Sequence, residues 1–233
     1  MIFGKNMQVF LLHFSGGSVN SFNFLKPFLP KYFEFHPLEL PGRGKRIKEK
    51  LLSVESEAID DLINQINSLR NNKPYIIFGH SLGAQLGLRV TKKLEELGDS
   101  PKKLIVAGNA GPGTGNIDKC RSTISDEELK EELLSLGGVP KEVLENDELF
   151  GFFSPIMRSD FKILEKGEPL EAGFKLNTPI VAVMGDKEET VEDIENWRNF
   201  TTGTFKSYIL EGNHFFIHDH PAELVRIITN SYD

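Results

Sequence analysis

Two short runs constrain the fold of this chain more than any other feature. Tyr75-Ile76-Ile77-Phe78 and Ile180-Val181-Ala182-Val183-Met184 are nearly continuous in apolar side chains. A strand with one face in water alternates polar and apolar residues, so unbroken runs of this kind predict strands covered on both faces. Such strands belong to parallel sheets whose crossovers are helices. Strand candidates are Val9 to Phe14, Tyr32 to Leu38, Tyr75 to Gly79, Leu104 to Gly108, Pro179 to Gly185 and Phe205 to Leu210. Between them Ala58, Ile59, Leu62, Ile63, Ile66 and Leu69 recur at helical spacing, as do Leu82, Leu86, Val90, Leu94 and Leu97. Pro221 suits the first turn of a final helix. The fold class is therefore α/β, with a mostly parallel central sheet flanked by helices.

A chain of 233 residues, 39% of them hydrophobic, holds enough apolar surface for one core. It carries no internal repeat, low-complexity tract or interdomain linker, and a single domain over residues 1–233 is expected. One stretch breaks the alternation: about 70 residues separate the strand near Leu104 from the one near Pro179, too many for a plain crossover. Ser125-Asp126-Glu127-Glu128 reads as a capping box opening a helix that Gly137-Gly138 closes. More helix is expected from Lys141 to Leu164, bent or broken near Pro155. Its apolar residues, among them Leu144, Leu149, Phe150, Phe152, Phe153, Ile156, Met157, Phe161 and Leu164, exceed what a solvated excursion needs. The segment, about 112–172, reads as a helical lid inserted over a pocket; the alternative is that it packs on the main core.

The formal net charge of −7 argues against nucleic-acid binding, which needs a broad cationic surface. The N-terminus lacks a sustained apolar region with a cleavage site, and no run of roughly 18 apolar residues follows, so neither secretion nor membrane insertion is expected. The single cysteine, Cys120, suits a reducing compartment, and the cytoplasm is the expected location.

The sharpest chemical signal is Gly79-His80-Ser81-Leu82-Gly83, a G-x-S-x-G at the end of an apolar strand and the start of a helix. Glycines permit the tight turn that lifts a hydroxyl out of the sheet, and a helix N-terminus offers backbone donors to an oxyanion. Ser81 is the candidate nucleophile. A serine hydroxyl needs a base, and the base an orienting acid, in the chain order serine, acid, histidine. His214, in Gly212-Asn213-His214 after the last strand, suits the base; His13, His36 and His80 precede or adjoin the nucleophile. His218 and His220 read as helix-entry or surface residues, and the His214-x-x-x-His218 spacing lacks the glutamate of a zinc-protease helix, so no metal is expected. For the acid, Gly185-Asp186-Lys187-Glu188-Glu189 offers three carboxylates beyond a strand end.

These motifs resemble the type II thioesterases that accompany nonribosomal peptide and polyketide synthases, members of the α/β-hydrolase superfamily. The likeness rests on Phe14-Ser15-Gly16-Gly17, Leu40-Pro41-Gly42-Arg43-Gly44, Gly79-His80-Ser81-Leu82-Gly83-Ala84 and Gly212-Asn213-His214-Phe215-Phe216. Ser125-Asp126-Glu127-Glu128-Leu129, Leu136-Gly137-Gly138 and Arg158-Ser159-Asp160-Phe161 extend it through the insertion. The resemblance implies an acid at the fourth position of a G-x-x-D segment, which selects Glu188 in place of the usual aspartate and leaves Asp186 as the alternative. Asp160 is a further carboxylate that the same network could draw in. The family also implies an oxyanion hole from the backbone N–H groups of Leu82 and Ser15. The implied reaction is hydrolysis of acyl or aminoacyl thioesters from the phosphopantetheine arm of an acyl or peptidyl carrier protein, without a cofactor. The rivals are a carboxylesterase or lipase acting on oxygen esters and a non-catalytic binding protein that keeps the fold. The basic run Arg43, Lys45, Arg46, Lys48 and Lys50 offers a surface for an acidic carrier or, more simply, a solvated loop.

Overall fold

The computed structural model describes residues 6–114 and 120–230. Among the described residues, six strands form one sheet: β1 (Met7–Leu12), β2 (Phe33–Pro37), β3 (Tyr75–His80), β4 (Leu104–Ala107), β5 (Ile180–Gly185) and β6 (Phe205–Leu210). Their order is β2-β1-β3-β4-β5-β6, and every neighbouring pair is parallel. All six strand candidates are found, with ends shifted by a few residues. The helices are α1 (Glu55–Leu69), α2 (Leu82–Glu96), α3 (Asp126–Leu136), α4 (Lys141–Glu145), α5 (Asp147–Glu165) and α6 (Pro221–Thr229).

The apolar runs are explained by two separate cores, one on each face of the sheet. Phe10, Leu12, Ile77, Ile180, Ala182 and Met184 pack under α1 and α2, while Val9, Leu11, Phe78, Val181 and Val183 pack under α6. Successive side chains of a strand point to opposite faces, so a strand between two cores needs an apolar residue at every position. Lys103, just before β4, is also buried; its Nζ donates to the Ile227 and Asn230 carbonyls at the end of α6.

The long connection between β4 and β5 holds α3, α4 and α5. Ser125 and Glu128 form the reciprocal capping box at the start of α3, and Gly137 ends it at φ 77°. Leu129, Leu133, Leu144, Phe150, Met157 and Phe161 form a third cluster within this insertion, while Ile163 joins the core beneath α1 and α2. The insertion thus has its own small core and is anchored to the main one at its C-terminal end.

The break in its second half falls at Asn146 and not at Pro155. Asn146 adopts an extended backbone, and its side chain accepts from the Leu149 N–H as the cap of α5. Pro155 lies inside α5 with the helix continuing through it. Both Pro155 and Gly151, whose carbonyl a residue at 155 would ordinarily bond, are exposed. Water can therefore satisfy the acceptor that the proline leaves open.

Candidate active site

Strand order reverses between β1 and β3, which lie side by side although β2 separates them in sequence. Connections leave such a switch point in opposite directions and open a crevice at the carboxyl ends of the two strands. Ser81 follows β3 there, and the Phe14-Ser15-Gly16-Gly17 turn follows β1.

Ser81 sits at φ 55°, ψ −112°, a backbone conformation that side-chain-bearing residues rarely adopt. The surrounding contacts hold it. A Cβ at Gly79 would overlap the Gly83 carbonyl, and one at Gly83 would overlap that of Leu12, so both motif glycines permit close backbone approach. The Ser81 N–H donates to the Ala107 carbonyl at 2.8 Å. Its hydroxyl makes no cap bond to α2. Leu82 is the first residue of that helix, where a backbone N–H has no carbonyl one turn earlier to bond.

Two turns bring an imidazole and a carboxylate together. His214 Nδ1 lies 2.8 Å from Glu188 Oε2, and Glu188 Oε1 accepts from the Gly185 N–H at 2.9 Å. With the carboxylate accepting at Nδ1, the proton belongs there and the Nε2 lone pair is left available. The Glu188 side chain is 7% exposed and that of His214 20%. Asp186 is engaged elsewhere, since its Oδ1 accepts from the Gly212 N–H at 2.8 Å and ties the acid-bearing turn to the histidine-bearing one. A Cβ at Gly185 would overlap the Gly212 carbonyl, which explains the glycine at the end of β5. Between the two candidate acids, the geometry sets Glu188 against His214.

Ser81, Ser15, His214 and the 14–17 turn line one cavity of about 270 Å³. Leu133, Leu136, Val139, Phe153, Met157 and Phe161 of the insertion supply its apolar wall. Phe153 lines the cavity, whereas Phe152 is 74% exposed and points away from the packed interior. Beneath the site His80 is buried, 5.0 Å ring to ring from His214. Burial, reinforced by the nearby His214, holds its pKa well below the usual histidine range, so it stays neutral. Gly108 makes room for that ring, which a Cβ there would strike. His218 packs among Phe24 and Phe215, away from any pairing with His214.

Asp160 is not part of the His214 network. It is wholly buried, and its carboxylate takes both Arg43 Nη atoms, at 2.6 and 2.7 Å, and the Gly16 N–H at 2.8 Å. This also removes the basic run as a continuous surface. Arg43 is buried on Asp160, and Arg46 is engaged by Glu49 and Asp61, leaving Lys45, Lys48 and Lys50 exposed. The Arg43–Asp160 pair is invisible in the sequence because the two residues lie far apart in the chain. Its one local signal is an arginine between two glycines, at the head of a run of basic residues that otherwise read as a solvated loop.

The thioesterase-domain family model matches residues 7–232. The chain belongs to this thioesterase family. Among curated proteins it is 30% identical to linear gramicidin dehydrogenase LgrE of Brevibacillus parabrevis, over 96% of this chain and 86% of that one. Among solved structures it is similar to ClbQ from the colibactin NRPS/PKS pathway, with a TM-score of 0.89, 29% identity and coverage of 96% and 95%. It is likewise similar to BorB, the type II thioesterase of the borrelidin biosynthetic cluster, with a TM-score of 0.87, 28% identity and coverage of 97% and 92%. The first of these names denotes a redox enzyme, but the family match, BorB and the serine elbow agree on acyl chemistry. The protein is a thioesterase of the α/β-hydrolase fold and resembles the type II enzymes over almost its whole described length.

Proposed function

We propose that this thioesterase hydrolyses acyl or aminoacyl groups carried as thioesters on the phosphopantetheine arm of carrier proteins, clearing misprimed or stalled synthase modules. The observation that carries the reading is the 2.8 Å pairing of His214 with Glu188 at the rim of a cavity that Ser81 also lines. Ser81 attacks the thioester carbonyl while His214 Nε2 takes its proton. The tetrahedral oxyanion forms against the Leu82 and Ser15 backbone N–H groups. On collapse, His214 returns the proton to the departing thiol. Water activated by the same imidazole then cleaves the acyl enzyme, and Glu188 holds the ring and stabilises its charged form throughout.

The apolar wall lent by α3 and α5 suits the acyl chain, and the insertion acts as a lid over it. No described helix is long and apolar enough to cross a membrane. A synthase carrier domain as substrate implies action in the cytoplasm. A panel of matched thioesters and oxygen esters of one acyl chain tests the reading against an esterase or lipase. Acyl-pantetheine turnover should far exceed that of the oxygen ester and vanish in Ser81→Ala. Equal or greater oxygen-ester turnover would transfer the assignment to the esterases, and no Ser81-dependent turnover of either would favour a binding protein.

A further inference from the structure

We infer that Asp160, clamped by Arg43, is a positioning residue for the oxyanion turn, so that the peptide plane next to the Ser15 N–H is held in register while α5 is seated on that turn. The inference rests on the proposed role of Ser15 as an oxyanion donor. In a trans peptide the N–H and C=O point in opposite directions within one plane, so fixing either end fixes the other. The Ser15 N–H shares its plane with the Phe14 carbonyl, which accepts from His13 Nδ1 at 2.7 Å and from the Gly17 N–H at 2.9 Å. The next plane, that of the Ser15 carbonyl and the Gly16 N–H, is fixed by Asp160 Oδ2 at 2.8 Å.

The first tether is local to the turn. The second arrives from α5, in the insertion, and its carboxylate has little freedom of its own. Asp160 is 0% and Arg43 2% exposed, and the guanidinium grips both carboxylate oxygens. Contact is also direct: a Cβ at Gly16, whose φ is +76°, would overlap Met157 Sδ and the Phe153 ring, both on α5. If α5 lifts, Asp160 leaves the Gly16 N–H and the plane beside the donor is released. Seating of the insertion and alignment of the oxyanion turn are thus coupled.

The test compares wild type, Asp160→Asn and Arg43→Lys on an acyl-pantetheine thioester, with folding checked by thermal melts. Two probes accompany it: an acyl trifluoromethyl ketone, whose serine adduct places an oxyanion in the hole, and a non-hydrolysable thioether analogue, which does not. Removing one donor from such a hole costs about 10²–10³-fold in rate, so Asp160→Asn should lose about 10²-fold in kcat with KM within about 3-fold. Ketone affinity should fall by the same factor and thioether affinity should hold. Arg43→Lys keeps the charge without the bidentate grip and should show the same pattern at about 10-fold; it decides alone if Asp160→Asn does not fold. Unchanged kcat in a folded variant, or joint loss of kcat and thioether binding, would overturn the inference. Failure of the wild type to turn over the thioester or bind the ketone would instead remove the reading beneath it.

Discussion

At the scale of single residues the acid shows what spacing can and cannot reveal. Counting from Gly185 selects Glu188, side-chain identity favours Asp186, and both readings fit a strand end. The turn decides the geometry: Asp186 is spent on the Gly212 N–H, and the longer Glu188 reaches His214. Replacing Glu188 by Gln should lower kcat by about 10³–10⁴-fold, the scale of losing the carboxylate that orients a catalytic imidazole. Asp186→Asn should retain most activity; steady-state kinetics on an acyl-pantetheine would show the order, and its reversal would reassign the acid. Ser81 and His214 could be proposed from the sequence because each stands in a motif at a strand end. The Arg43–Asp160 pair could not, since a charged residue reads the same in sequence whether solvated or buried in a pair. His13 yields a pH prediction. Burial, then the Arg43 charge, pushes its pKa down from 6.5 to about 4. Its Nδ1 donates to Phe14 O while Nε2 accepts from the Leu40 N–H, an arrangement that requires the neutral ring. The unfolded chain takes up a proton between those pH values that the fold refuses. The stability this group contributes is therefore complete above about pH 6.5 and lost as pH falls towards about 4, by about 3 kcal/mol. Urea titrations at about pH 7 and about pH 4.5 should show that loss, with a shallower dependence in His13→Asn; equal slopes would contradict it.

Among the elements, the strands were the easiest to read because burial on both faces leaves an uninterrupted apolar signature. The insertion was harder. Its capping box is a local pattern and was found where expected, but the break between α4 and α5 depends on whether a missing hydrogen bond faces water or a core. Proline's usual effect made Pro155 the expected break, and exposure of Gly151 and Pro155 removes that effect. Periodicity also could not divide the apolar residues of α5 between wall and surface. Phe152 and Phe153 are adjacent, yet Phe153 lines the cavity and Phe152 is 74% exposed. Truncating Phe153 to Ala should enlarge the acyl space and shift preference towards longer chains, as ratios of kcat/KM across an acyl series would show. Phe152→Ala should leave those ratios within about 2-fold, because an exposed ring removed from water-facing surface changes little else. Unaltered selectivity in Phe153→Ala would mean that the insertion packs on the core without shaping the acyl site.

For the whole molecule, sheet order does what no local motif can. Ser81 follows β3, the Ser15 turn follows β1, Glu188 follows β5 and His214 follows β6, and the parallel arrangement delivers all four to the same edge of the sheet. The alternating strand and helix signals made a parallel sheet legible, whereas the meeting of the Ser15, Ser81 and His214 turns at one cavity, with Glu188 set against His214, required the fold itself. Cleavage of acyl groups from a carrier through Ser81 is what that convergence is proposed to achieve. Single-turnover hydrolysis of acetyl and longer acyl groups loaded on a phosphopantetheinylated carrier protein, followed by intact mass in wild type and Ser81→Ala, puts it to the proof. Release of the free carrier thiol by wild type and its loss in folded Ser81→Ala is the predicted result; an acyl carrier that stays loaded with wild type, or is unloaded equally by the variant, would contradict it.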